Sequence, residues 1–180
     1  MFLRFLEEAD VAEFIRLRLE ALQTDPAAFG SSWEEERDRT PEMVAPRLRP
    51  VPDGNFLVGA FQGSTLIGIA GFVRQTHLKT RHKGSVWGVY VTPSARGAGV
   101  ARALLTHLIE RARGYDDLEQ IQLTVTTCQE PARHLYTALG FEIFGYEPNA
   151  LKLGARYADE EHRVLSLRKK DSKSGTEPEP

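Results

Sequence analysis

The sequence predicts an α+β fold, with a mixed, mostly antiparallel seven-stranded sheet flanked by about four helices. Two apolar runs, Asn55 to Gln62 and Thr65 to Arg74, are joined by Gly63-Ser64, which reads as an antiparallel hairpin. Two further runs, Ser85 to Val91 and Ile121 to Thr126, are separated by a complete helical pattern. They are therefore expected to be parallel, with a right-handed crossover. Short apolar runs at both ends, Phe2 to Leu6 and Val164 to Leu167, together with Phe141 to Tyr146, complete the seven strands.

In chain order, Phe2 to Leu6 is followed by Asp10, expected to cap a helix with Glu13 completing a capping box. That helix carries Val11, Phe14, Ile15, Leu19 and Leu22 and stops before Asp25-Pro26. A loop through Ala28-Phe29-Gly30 leads to the acidic run Trp33-Glu34-Glu35-Glu36. Thr40-Pro41 opens a second helix, expected to be short, broken by Pro46 and ended near Pro50. The region from Trp33 to Pro50 reads either as loose packing on the surface, the commoner case, or as a segment that closes over a pocket. The polar segment from Gln75 to Gly84, with His77, Lys79, Arg81, His82 and Lys83, reads as the loop into the central strand. Later, Pro131 to Leu139 is a helix with Gly140 as its terminator.

At 180 residues the chain suits one domain, assigned to 1–168. Residues 169–180, lysine-, serine-, glutamate- and proline-rich, are expected to be a disordered tail. A net charge of −2, with no basic face in the pattern, argues against a nucleic-acid partner. A lone cysteine, Cys128, excludes an internal disulfide and fits the cytoplasm. No signal-peptide layout and no apolar run of about 20 residues point to a membrane. No common zinc spacing is visible, His77 and His82 included, so no metal site is expected.

The stretch that organises the chain is Ser85 to Arg113. A buried strand is followed by Pro93 and Ser94, then by Arg96-Gly97-Ala98-Gly99-Val100-Ala101. A helix comes next, with Val100, Leu104, Leu108 and Ala112 on one stripe. Gly114 stands where a left-handed cap is expected. A small-residue turn at a helix N-terminus presents unpaired N–H groups and the positive end of the helix dipole, a setting for a phosphate. It is not a Walker loop, because Gly99 is followed by Val100 and Ala101. It is not a dinucleotide fingerprint either, because Arg102 stands in the third glycine's place.

What this stretch resembles is the acetyl-CoA signature of the GNAT superfamily of CoA-dependent N-acetyltransferases, Gln/Arg-x-x-Gly-x-Gly/Ala, with Arg96, Gly99 and Ala101 in register. A second block resembles the same superfamily downstream: Leu123, Val125, Gln129, Ala132, Leu135-Tyr136 and Gly140-Phe141, with Gln129 where the family usually has Asn. Both blocks occur in the right order, and the resemblance covers nearly the whole chain. It implies acetyl-CoA as cosubstrate. The backbone of Val89, Tyr90 and Val91 would pair with the pantetheine arm, and the amides from Arg96 to Ala101 would hold the pyrophosphate. Gln129 would contact a pantetheine carbonyl, and Gly88 would mark a bulge that lets the central strands separate.

The resemblance also places Tyr136 at the position that protonates the departing sulfur. Relatives that acetylate ribosomal proteins or N-termini often carry a glutamate base where this chain has Thr124. The base is thus open among Glu34, Glu35, Glu36, His82 and water. Cys128 has no histidine at an obvious partner spacing for an acyl-cysteine route. The expected reaction is acetyl transfer to a primary amine of a small molecule by direct attack in a ternary complex, and the acidic run Glu34–Glu36 suits a cationic one. A catalytically silent CoA-binding module and a peptide or protein N-acetyltransferase are the alternatives. The oligomeric state is left open, a homodimer included.

Overall fold

Apolar alternation builds one sheet with helices on both faces. The structure, a computed structural model, describes residues 1–168, and the tail expected over 169–180 lies outside the described residues. The strands are β1 (Phe2–Phe5), β2 (Phe56–Gln62), β3 (Thr65–Arg74), β4 (Lys83–Val91), β5 (Gln120–Thr126), β6 (Glu142–Leu153) and β7 (Arg156–Ser166). They form one seven-stranded sheet in the order β1-β2-β3-β4-β5-β7-β6. Within it β4 and β5 are parallel, and the other pairings are antiparallel. The helices are α1 (Val11–Thr24), α2 (Trp33–Glu36), α3 (Pro41–Leu48), α4 (Val100–Arg113) and α5 (Glu130–Ala138), with three 3-10 turns between elements. The count exceeds the expected four because the region after Trp33 forms two short helices.

The two faces of the sheet hold separate cores. On one face Phe72, Val86, Ile121 and Leu123 pack with Leu104, Leu105 and Leu108 of α4. On the other, Leu57, Phe61, Ile69 and Tyr90 pack with Phe14 and Leu17 of α1 and with Val44 and Leu48 of α3. Burying each of these large side chains contributes roughly 1.5–3 kcal/mol relative to exposure. Among the described residues no helix is long and apolar enough to cross a membrane.

Four local expectations are corrected. Asp10 does not cap α1. A 3-10 turn, Glu8–Asp10, precedes the helix, so the Asp10 carboxylate turns back to accept from Glu7 N at 2.9 Å and from Arg4 at 2.6 Å. Glu13 instead accepts from Leu66 N of β3 at 2.9 Å. Pro46 lies inside α3 rather than breaking it; it is exposed, and water can serve the carbonyl it leaves unbonded. Gly114 is right-handed, with φ −76°, because α4 ends by tightening: Gly114 N bonds Arg111 O and Tyr115 N bonds Ala112 O, both at 3.1 Å.

The last strands are also longer than expected. β6 and β7 form a hairpin turning at Gly154, whose φ is +64°, and spanning Glu142 to Ser166. Much of β6 is exposed, so it lacks the one-sided apolar alternation that marks a strand in sequence. Gly140, with φ +91°, ends α5 in the left-handed conformation as expected.

Candidate active site

The central strands pair at one end only. β4 and β5 are in register over Lys83↔Gln120, Gly84↔Ile121 and Ser85↔Gln122. Beyond Ser85 they have no mutual pairs, although β4 runs on to Val91 and β5 to Thr126. A bulge accompanies the separation. Between the pairs Ile69↔Tyr90 and Gly71↔Trp87, β3 has only Ala70 where β4 has Gly88 and Val89. Gly88 takes φ +62°, a conformation that favours glycine and bends β4 away from its neighbour.

The gap is a cleft of about 440 Å³. It brings together Val89, Tyr90, Val91, Arg96, Gly97, Gly99, Val100, Ala101, Gln129 and Tyr136. Ala98 is absent from the wall. Reasoning from sequence missed Phe29 and Trp87, which also line the cleft, as do Thr124 and Thr126. The alternation of Gln122, Thr124 and Thr126 against Ile121, Leu123 and Val125 was the available signal for the threonines.

At one end of the cleft the turn before α4 is set by two left-handed glycines, Gly97 at φ +79° and Gly99 at φ +78°. The first amide of α4 with a backbone partner is that of Ala103, bonded to Gly99 O at 3.0 Å. Among the described residues the amides of Gly97 to Arg102 therefore have no backbone acceptor, and they converge at a helix N-terminus. Arg96 locks this turn from outside. Its Nε donates to Val91 O at 2.9 Å, and its guanidinium reaches Asp25 Oδ2 at 2.5 Å and stacks over Tyr90. The Tyr90 hydroxyl donates to Glu20 of α1 at 3.0 Å.

Tyr136 lies on the opposite wall, on α5. Its ring is buried, edge-on to Phe141 at 5.9 Å between centroids. Burial pushes its phenol up to about 12, with the positive charge of Arg163 opposing. The phenol is therefore protonated at neutral pH. α5 is tied to β7 through Glu161, which is buried and accepts from Arg133 Nε and Arg163 Nε at 2.8 Å each. Arg163 in turn donates to Arg133 O and Thr137 Oγ1. Burial alone would raise the Glu161 carboxyl, but these two guanidinium groups hold it below its ordinary value.

None of the four side chains expected as a base lines the cleft. Glu36 is buried against Arg18, with contacts of 2.8 and 3.2 Å, and lies 3.5 Å from Arg39, so its charge is neutralised. Glu35 is turned to Ser32 N at 2.7 Å as a capping box, and Glu34 is exposed. The expected acidic patch is thus absent from the cleft wall. His82 stands beside the paired end of β4, where its carbonyl accepts from Glu119 N and Gln120 N, away from the splayed end. Thr124 does line the cleft, and its partner in register on β7 is His162. Next along, Glu160 pairs with Thr126. Burial lifts the Glu160 carboxyl above its ordinary value, Glu147 adds to this, and His162 opposes it. Cys128 is exposed and absent from the wall. Among the described residues no group of three His, Cys, Asp or Glu is arranged to hold a metal ion.

The acetyltransferase (GNAT) family model matches residues 17–141, which include both walls of the cleft. The chain belongs to this family. It is 35% identical over 135 residues to N-alpha-acetyltransferase RimI of Mycobacterium tuberculosis, covering 68% of this chain and 82% of that protein. An uncharacterized protein of Mycobacterium leprae is 38% identical over 94 residues, which is 52% of this chain and only 25% of that longer protein. Among solved structures, the acetyltransferase yncA of Salmonella typhimurium with acetyl-CoA superposes with a TM-score of 0.78 at 22% identity, covering 99% of this chain and 98% of that one. The last likeness concerns the fold.

Proposed function

We propose that this acetyltransferase moves the acetyl group of acetyl-CoA to a primary amine of a small molecule, by direct attack in a ternary complex. The observation that carries the reading is the cleft itself. A bulged stretch of β4, without a partner on β5, leads to six amides without backbone acceptors at the start of α4, and a protonated phenol stands on the facing wall.

In this reading the amides from Gly97 to Arg102 receive the pyrophosphate, and left-handed Gly97 and Gly99 let the backbone approach it closely. The backbone of β4 at Val89 to Val91, which has no partner on β5, pairs with the pantetheine arm, and Gln129, at the start of α5, lies within the same cleft. Bound this way, acetyl-CoA supplies an activated acyl carbon held against the amine. Such positioning is worth roughly 7–11 kcal/mol of barrier. The neutral amine attacks the thioester carbonyl, its carbon–sulfur bond breaks, and Tyr136 gives its proton to the leaving thiolate. The proton lost by nitrogen passes to water, since Asp25, the carboxylate that lines the cleft among the described residues, is paired with Arg96 at 2.5 Å.

A panel of amines with acetyl-CoA, followed by release of the free CoA thiol, tests the reading. Saturable release with at least one small amine is expected. Two other outcomes have their own observations. Peptide N-termini preferred over every small amine would favour a peptide acceptor, for which the identity to RimI speaks. Tight acetyl-CoA binding without release for any amine would favour a silent CoA-binding module, against which Tyr136 speaks. The lone, exposed Cys128 fits a cytoplasmic setting for this reaction.

A further inference from the structure

A second cavity, of about 50 Å³, lies between α1, α2 and α3. Trp87 is common to its wall and to the wall of the cleft. Trp87 immediately precedes the Gly88 bulge, so a molecule reaching across one indole would join this cavity to the reacting end. The volume is that of a few water-sized probes, enough for a small polar group.

Its charge is one-sided. Arg18, Arg39 and Arg47 line it against a single carboxylate, Glu36. The side chains of Arg18 and Glu36 are only 9% and 10% exposed, and their two-point contact cancels one pair of charges. Arg39 touches Glu36 through one contact of 3.5 Å. Arg47 has neither a hydrogen bond nor an ion pair among the described residues. Two guanidinium charges are therefore left at the rim of a partly open cavity, on half-buried Arg39 and exposed Arg47. The rest of the lining, Phe14 and Val44 among it, is apolar.

We propose that this cavity holds a carboxylate of the acceptor, with Arg39 and Arg47 as its donors and Arg18–Glu36 as the buried platform beneath. The acceptor is then an amino acid: a primary amine joined to a carboxylate by a short, largely apolar chain that crosses Trp87. This rests on the acetyl-transfer reading of the cleft and narrows its substrate class. It replaces the cationic acceptor that the run Glu34–Glu36 suggested.

The test compares linear amino acids, with one to five methylenes between amine and carboxylate, against the matching n-alkylamines. At one chain length the amino acid is expected to exceed its alkylamine about 10–100-fold in kcat/KM, the range of one or two charge-assisted bonds. In Arg47→Gln and Arg39→Gln that ratio should fall toward one. Calorimetry with the N-acetylated amino acid, in the presence of CoA, should show the same loss of affinity without any turnover. Alkylamines as good as amino acids at every length, or a preference surviving both substitutions, would overturn the proposal. So would a dependence on Arg47 seen only with a peptide that starts with aspartate, since that moves the carboxylate to a peptide. If acetyl-CoA binds but no amine is acetylated, the acetyl-transfer reading fails, while the calorimetric comparison still decides whether the cavity binds a carboxylate.

Discussion

In the proposed reaction Tyr136 combines two properties that are usually opposed, a buried ring and a hydroxyl that acts at a reacting atom. Burial raises its phenol to about 12, so the proposed proton donor is neutral at physiological pH. Tyr136→Phe keeps the ring and its contact with Phe141 while deleting the donor. The expected result is a drop of roughly 10²–10⁴-fold in kcat with little change in acetyl-CoA affinity. Single-turnover kinetics beside a binding measurement check this, and unchanged single-turnover chemistry would leave Tyr136 as a packing residue. Its place beside the cleft was legible in the sequence because Leu135-Tyr136 and Gly140-Phe141 stand together in one motif. The base candidates were not legible in the same way. Whether Glu36 is free depends on Arg18, 18 residues away, and nothing local to Trp33-Glu34-Glu35-Glu36 reveals that partner.

Two elements support the site, and each has its own sensitive position. The turn before α4 depends on Gly99, whose φ of +78° disfavours any side chain even though no atom lies within 4 Å of a Cβ there. Gly99→Val should weaken acetyl-CoA binding strongly and cost roughly 1–2 kcal/mol of stability from backbone strain. Calorimetry and thermal melting separate the two effects, and unaltered affinity in the folded variant would remove the amides from the pyrophosphate site. The junction of α5 with β7 depends on Glu161, the buried acceptor for Arg133 and Arg163. Glu161→Ala leaves Arg163, itself buried, without its partner, and should cost roughly 3–5 kcal/mol. The pH dependence follows from the lowered carboxyl. Its stabilising effect is present above the ordinary glutamate value of 4.5 and is lost as pH falls through the lower folded value. The gap in denaturant midpoint between wild type and Glu161→Ala should therefore narrow under strong acid, and a gap constant from neutral pH into strong acid would contradict this linkage.

Across the whole molecule, proton traffic is set by what the cleft lacks as much as by what it holds. Thr124 cannot take a proton at neutral pH, and Tyr136 titrates far above it. The lower limb of kcat/KM against pH should therefore follow the acceptor's own amine, shifting when the acceptor is changed. A limb that stays fixed across acceptors and disappears in Glu160→Gln would identify Glu160 as a base. Glu160 is in register with Thr126 of the cleft wall, and burial has already lifted its carboxyl.

Local pattern was enough for the strand, turn and helix from Ser85 to Arg113, for the hairpin at Gly63-Ser64 and for the position of Tyr136. In each case the information lies within a few consecutive residues: apolar period, turn glycines and motif spacing. Other features needed the folded chain. Separation of β4 from β5 arises from a bulge defined against β3, and the length of β6 and β7 comes from their pairing with each other rather than from buried faces. Asp25 clamps Arg96 across 71 residues, and Arg47, without a partner among the described residues, stands at a cavity only because α1, α2 and α3 meet there. Pairings between distant residues leave no periodic trace in the chain, so the glycine turn before α4 could be read from it, but the charge around the cavity between α1, α2 and α3 could not.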